Sequence, residues 1–265
     1  MVTGDSIQER VHEALDAIQR EQQVRVLYAV ESGSRAWGFP SADSDYDVRF
    51  LYVHRRDFYL STRDRRDVIE KPITDDLDVS GWDLRKALRL FRKGNPPLLE
   101  WLRSPVLYRE AGATAERLRE LLPEHYLRTS SLHHYLNMAR REFRENLQGE
   151  FVVSKKYFYV LRPLLAMKWG EQHRTCPPTA FEEIMNGLSL DGALLEAIRK
   201  MVEAKRNERE RQPGPRVPVV DAFLLEELAR WEQAGNLPGE AKPASFDQLD
   251  EIFRDAIEAF EALSS

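Results

Sequence analysis

Two aspartates at alternate positions, Asp45 and Asp47, lead into the apolar run Val48–Val53. Side chains alternate across an extended strand, so the pair is read as sharing one face. Carboxylates held side by side repel each other, which raises the pKa of at least one. A divalent cation removes that conflict. Mg²⁺ prefers oxygen ligands and commonly takes one or two carboxylates plus substrate phosphates. A strand-borne Asp-x-Asp therefore suits an ion that also binds a nucleotide. Taken alone, SADSDYD is better read as an Asx-rich turn whose side chains cap backbone groups. It does not stand alone. Gly33 and Ser34 follow the short β-branched and aromatic run Val24–Val30, about a dozen residues before the aspartates. Glycine there lets the backbone approach a phosphate closely, and the serine hydroxyl and neighbouring N–H groups can donate to phosphate oxygens at a helix start. Asp78, in the strand-like LDVSGW, is the third acidic candidate. A third carboxylate would complete a two-ion site. Asp75 and Asp76 lie nearer a turn and are read as solvated, and Asp83 as the N-terminal residue of a helix.

The elements that must position these groups can be read from periodicity. Apolar spacing from Ser6 to about Gln22 predicts an amphipathic helix. VRVLYAV and YDVRFLYV predict buried strands, VIEKPI and LDVSGW strand pieces, and PVLYRE a last short strand, while HRRDFYLSTRDRRD is expected to be irregular. DLRKALRLFRKG reads as a helix closed by Gly94, and NPPLLEWL as a short helix with prolines in its first turn. Beyond residue 111 the pattern becomes helical. Helices are expected over Ala113–Leu122, Ser130–Gln148, Ser154–Trp169 (kinked at Pro163), Ala180–Gly187, Ala193–Arg211, Val219–Ala234 and Phe246–Leu263, with mostly Pro/Gly-rich breaks between them. The expected fold class is α/β (α+β): a small mixed sheet with helices on one face over 1–110, then a C-terminal helical bundle over 111–265 that closes a substrate cleft.

Composition narrows the function. The chain has 265 residues with 42% hydrophobic and 31% charged, as in a soluble globular protein. One cysteine, Cys176, excludes an internal disulfide framework and a multi-cysteine zinc site. No apolar run approaches the roughly 20 residues that span a bilayer, and the N-terminus carries no signal-peptide core; a cytoplasmic enzyme is expected. A net charge of −5 disfavours holding duplex nucleic acid by overall charge. Local basic clusters occur at Arg140, Arg141 and Arg144 and at Lys155, Lys156 and Arg162; each is equally readable as a solvated helix face.

Gly33-Ser34, the SDYDV segment and the later Asp78 resemble the signature of the DNA polymerase β-type nucleotidyltransferase superfamily. More narrowly, SGSRAWGFPSADSDYDVRFLYV, DVSGWDLRKALRLFRKGNPPLLEWLRSP and KKYFYVLRPLLAMKW resemble the YcgL-like nucleotidyltransferases, an RNA-repair-associated branch. The resemblance reaches from near the N-terminus to about residue 225. It implies that Gly33 and Ser34 form the phosphate-binding pair, that Asp45 and Asp47 bind metal, and that Asp78 serves as base or metal ligand for the incoming hydroxyl. Arg35 and Arg49 belong to the narrower block. Arg49 shares the strand face of Asp47 and is read either as a phosphate ligand or as an ion-pair partner of Asp45 or Asp47. In KKYFYVLRPLLAMKW, Tyr157 is a candidate for stacking on a base, and Lys155, Lys156 and Arg162 for phosphate contacts. The same helix reads as core through Tyr157, Val160, Leu161, Leu164 and Leu165. His133 and His134 are read as structural, and Cys176 as inert. The implied reaction moves an NMP from an NTP to an acceptor hydroxyl with release of pyrophosphate, using Mg²⁺ or Mn²⁺. An RNA end, that of a tRNA included, is the expected acceptor; a protein side chain or small molecule fits the same chemistry. A non-catalytic nucleotide-binding regulator and a structural partner of a repair complex are the rival classes. Neutralising Asp45 or Asp47 is expected to leave the fold intact and even to relieve repulsion in the metal-free protein.

Overall fold

The computed structural model describes residues 6–74, 76–207, 213–233 and 241–263. Asp75, Ala234 and the expected helical stretch 208–211 lie outside the described residues. Helix α1 (Ile7–Gln22) starts at Ser6, whose hydroxyl accepts from the Glu9 N–H while the Glu9 carboxylate accepts from the Ser6 N–H, the reciprocal capping box. Strand β1 (Arg25–Glu31), the short helix α2 (Gly33–Trp37) and β2 (Tyr46–Val53) follow. Within the segment expected to be irregular, Arg56–Tyr59 forms one helical turn, α3. β3 (Val68–Glu70), β4 (Leu77–Asp83), α4 (Leu84–Arg92), α5 (Pro96–Leu102) and β5 (Leu107–Glu110) complete the mixed sheet, in the order β3-β4-β2-β1-β5. β2 and β4 are parallel; every other neighbouring pair is antiparallel.

Both faces of the sheet are covered, not one. Val48, Phe50 and Tyr52 of β2 pack with Val11, Leu15 and Ile18 of α1. Leu51 and Val53, of the opposite parity, pack with α4, α5, α6 (Thr114–His125) and α12 (Phe246–Ala262). The continuous apolar run of β2 reflects this, since both parities must be buried. The C-terminal helix α12 thus returns to the sheet. The remaining helices, α7 (Arg128–Asn146), α8 (Ser154–His173), α9 (Phe181–Gly187), α10 (Gly192–Asn207) and α11 (Pro218–Gln233), form a separate apolar cluster that also takes in Phe39. α8 runs through Pro163. Two short strands join this half: β6 (Phe151–Val153) pairs with β7 (Pro213–Pro215), where only chain breaks were expected. Their three-residue length and Pro/Gly content give no strand periodicity to read.

Candidate active site

Asp47 and Asp78 are paired in register on the parallel strands β2 and β4. Each is followed by a core residue, Val48 and Val79, that faces α1. The carboxylates therefore project from the opposite face, at the strand starts. Asp45 lies one residue outside β2 and is exposed, so it is a loop residue and not a strand partner of Asp47.

Arg49 joins the two strand carboxylates. One guanidinium nitrogen donates to Asp47 Oδ1 at 2.9 Å and to Asp78 Oδ2 at 2.8 Å; the other donates to the carbonyls of Val48 and Asp78. Of the two readings of Arg49, the ion pair is the one seen, with Asp78 as its second partner. Burial pushes the Asp47 carboxyl up; Arg49 opposes the shift, and Asp78 and Asp45 add to it. Asp47 thus feels both the neighbouring carboxylates and the Arg49 cation, so neutralising it removes an ion pair as well as a repulsion.

Gly33 has φ +60, a left-handed backbone that disfavours side chains. A Cβ there would overlap Asp47 Oδ2 and come within 3.2 Å of Asp47 Cγ. The glycine is therefore needed twice, for the turn out of β1 and for close approach to the carboxylate. The Ser32 N–H donates to the Asp47 carbonyl at 2.8 Å, which ties the start of α2 to β2. Ser34 Oγ donates to Ser44 Oγ at 3.3 Å.

Arg35 turns away from the carboxylates. It donates to the carbonyls of Ser44 at 2.7 Å and Asp45 at 3.1 Å and stacks 3.5 Å over the Tyr46 ring. It holds the loop that carries Asp45. Arg162 is 2% exposed and bonds Glu100 at 2.5 Å, with Tyr135 donating to the same carboxylate at 3.0 Å. Its guanidinium also lies 4.9 Å over Trp37 at the end of α2. Tyr157 is 1% exposed and donates to Asp221 at 2.9 Å. The structure thus places Tyr157 and Arg162 within the helical core, where their contacts are with protein groups. Two positions on, the half-buried Tyr159 meets Trp37 edge-on at 6.1 Å. Lys155 is half-buried in the first turn of α8. Arg140 lies 3.1 Å from Glu232 and Lys156 3.8 Å from Glu142, both as ion pairs. Cys176 is buried, which pushes its thiol up to about 11, so it is no nucleophile.

Glu31 was not anticipated. It is 1% exposed at the end of β1. Its Oε1 accepts from the Asp47 N–H at 2.7 Å, and its Oε2 accepts from the Tyr108 hydroxyl. Burial pushes its carboxyl up, against those bonds. A carboxylate directly after an apolar strand was the available signal.

The donors suit a hard divalent cation, since they are carboxylate oxygens without sulfur or imidazole. Among the described residues no three of His, Cys, Asp and Glu form a ready-made metal cluster. Arg49 instead supplies the positive charge between Asp47 and Asp78.

The chain is 47% identical over 253 residues to a Bacillus subtilis (strain 168) protein described as uncharacterized protein YcgL, covering 95% of this chain and 97% of that one. A crystal structure of a nucleotidyltransferase-like protein from Exiguobacterium sibiricum 255-15 is similar at 11% identity, with a TM-score of 0.31, over 95% of this chain and 78% of the other. The model of the RNA repair pathway DNA polymerase beta family matches residues 7–255. The chain belongs to that RNA repair pathway DNA polymerase beta family, and hence to the polymerase β-type nucleotidyltransferases.

Proposed function

We propose that this protein transfers an NMP from an NTP to the terminal hydroxyl of an RNA in the cytoplasm. The observation that carries the reading is the meeting of Gly33 with Asp47 and of Asp47 with Asp78. Gly33 lies against Asp47, and Asp47 lies in register with Asp78 on the next strand, an arrangement that suits a phosphate held beside carboxylates. A Mg²⁺ or Mn²⁺ held by Asp45 and Asp47 would neutralise charge on the phosphate oxygens, leaving Asp78 to the acceptor hydroxyl. Arg49 releases the carboxylates as the nucleotide arrives and turns to a phosphate oxygen, keeping the charge balance. Gly33 and Ser34 hold the triphosphate by N–H and hydroxyl donation. The acceptor oxygen attacks the α-phosphorus, a new P–O bond forms, the bond to the β-phosphate bridging oxygen breaks, and pyrophosphate leaves. Asp78 takes the proton of the hydroxyl. Positioning and electrostatics supply most of the acceleration in such transfers.

The test is incubation with each α-labelled NTP, Mg²⁺ or Mn²⁺, and RNA, cell protein or small hydroxyl compounds. Label is expected in RNA, lost in Asp47→Asn and in excess chelator. Label only in protein or a small molecule moves the acceptor. Transfer unaffected by chelator overturns the metal chemistry.

A further inference from the structure

A second concavity lies at the opposite end of the same sheet. Where β1 begins and β2 ends, α1, α3 and the last turn of α12 border a groove of about 1100 Å³. Five arginines line it, Arg20, Arg25, Arg55, Arg65 and Arg109, against two carboxylates, on a chain whose net charge is −5. One of these carboxylates, Asp16, is already engaged by Arg109 at 2.8 Å; the other is Asp57. Several guanidiniums are held in place from behind. Arg55 lies 4.6 Å over Phe260 and Arg65 4.8 Å over Phe58, while Arg25 donates to the Ala259 carbonyl at 3.3 Å. Phe58 in turn stacks on His54 with centroids 3.5 Å apart. Cations pre-set in this way lose little freedom on meeting a ligand.

The groove continues into a chamber of about 370 Å³ that shares Arg65 and His54 and is bordered by Arg66 and Tyr52. Tyr52 is 0% exposed, and its hydroxyl has no hydrogen-bond partner among the described residues. Buried hydroxyls are nearly always paired. The chamber is bordered by Arg65, by Arg66 paired with Glu70, and by the leftover Tyr52 donor, and Arg65 with that donor points to an anionic acceptor.

We propose that this groove and chamber hold the phosphodiester backbone of a single-stranded RNA acceptor, with Arg20, Arg25 and Arg65 on phosphates and Tyr52 donating to one of them. This rests on the RNA-acceptor reading above. Guanidinium forks match phosphate oxygens pairwise. β2 has Asp47 near one end and Val53 at the other, so at about 3.3 Å per residue the carboxylates and the groove are roughly 20 Å apart. At about 3.4 Å per stacked nucleotide that is roughly six nucleotides. The groove would then grip the strand behind its reacting end, and acceptors shorter than this span would gain nothing from it.

The test is fluorescence anisotropy with a labelled 20-nucleotide RNA and a labelled 4-nucleotide RNA, across a salt series. The proteins are wild type, the triple variant Arg20→Gln, Arg25→Gln, Arg65→Gln, and Tyr52→Phe. Each phosphate contact contributes about −0.7 to the slope of log affinity against log salt, so the triple variant should flatten the slope for the 20-mer by about 2. Its affinity for the 4-mer and for NTP should be unchanged. Tyr52→Phe should weaken 20-mer binding about tenfold, as expected for loss of a hydrogen bond to a charged group, with no fall in Tm. Wild-type slope and affinity in the triple variant overturn the groove, as does a wild type that does not bind the 20-mer. If binding behaves as expected but no label enters RNA, the groove stands and the acceptor reading fails.

Discussion

Replacing Gly33 by alanine tests the geometry on which the site depends. At φ +60 a side chain costs about 1–2 kcal/mol. The added methyl also overlaps Asp47 Oδ2, so the carboxylate must leave the position from which it bonds Arg49 at 2.9 Å. That ion pair is only partly buried, with side chains 19% and 31% exposed, so its loss is worth about 1 kcal/mol. The total is about 2–3 kcal/mol, or roughly 4–12 °C in Tm for a chain of this size. The two parts separate in a cycle. In an Asp47→Ala background nothing remains for the methyl to displace, and Gly33→Ala should cost only its backbone share. Urea unfolding of the four proteins should therefore show a coupling of about 1 kcal/mol. In otherwise wild-type protein, displacing Asp47 by even about 1 Å should lower transfer on the order of 100-fold. Equal costs in the two backgrounds would refute the close approach, and full activity in Gly33→Ala would refute its role.

Asp78→Asn should keep Mg²⁺-NTP binding by calorimetry and lose turnover, with a stability change within about 1 kcal/mol because the Arg49 pair is part-exposed; loss of nucleotide binding would make Asp78 a ligand of the nucleotide-bound ion. Arg162→Met leaves Glu100, 16% exposed and still bonded by Tyr135, without its charge partner and should cost about 3 kcal/mol in chemical denaturation; a stable variant with weakened NTP binding would return Arg162 to the nucleotide. Burial lowers His54 to about 4, below its unfolded value, so the unfolded chain binds the extra proton between about pH 6.5 and 4. Its contribution to stability is complete above about 6.5 and is lost as pH falls through that window. His54→Asn should remove that slope from a series of unfolding midpoints, and an unchanged slope would place the titration elsewhere.

Much of the site was legible because its signals are local. A glycine after a buried strand, Asp47 at the start of another, and Asp83 as a helix cap, seen accepting from the Arg85 N–H, all follow from short-range rules, whereas the Asp45 half of the alternation falls in the loop before β2. The missed parts depend on partners distant in sequence. Glu31 shows its role only once Tyr108 of β5 comes beside it. Arg35 follows Gly33 and Ser34 directly in sequence, yet it folds back onto the carbonyls of Ser44 and Asp45. Tyr157 and Tyr159 differ by two positions on α8, which turns one to Asp221 and the other to Trp37. Helical spacing alone favoured a core role for Tyr157, and the mixed cationic and aromatic composition obscured it. The return of α12 to the sheet left no mark in its own periodicity, because an amphipathic helix does not name the surface it covers.

The contacts just beyond α2 have a consequence for how the protein is made. Lys205, in the last turn of α10, donates to the Phe39 carbonyl at 3.1 Å, and Arg206 donates to that of Gly38 at 2.8 Å. The first pair is 166 residues apart in sequence. At synthesis rates of about 5–20 residues per second, roughly 8–33 s separate the two ends of that bond on the ribosome. Strands β1–β5 therefore emerge well before the end of the Gly33–Trp37 helix acquires its anchors. A chain interrupted before α10 would lack both these anchors and the α12 helix that covers one face of the sheet, so the surroundings of Asp47 and Asp78 are completed only after the helical half has emerged.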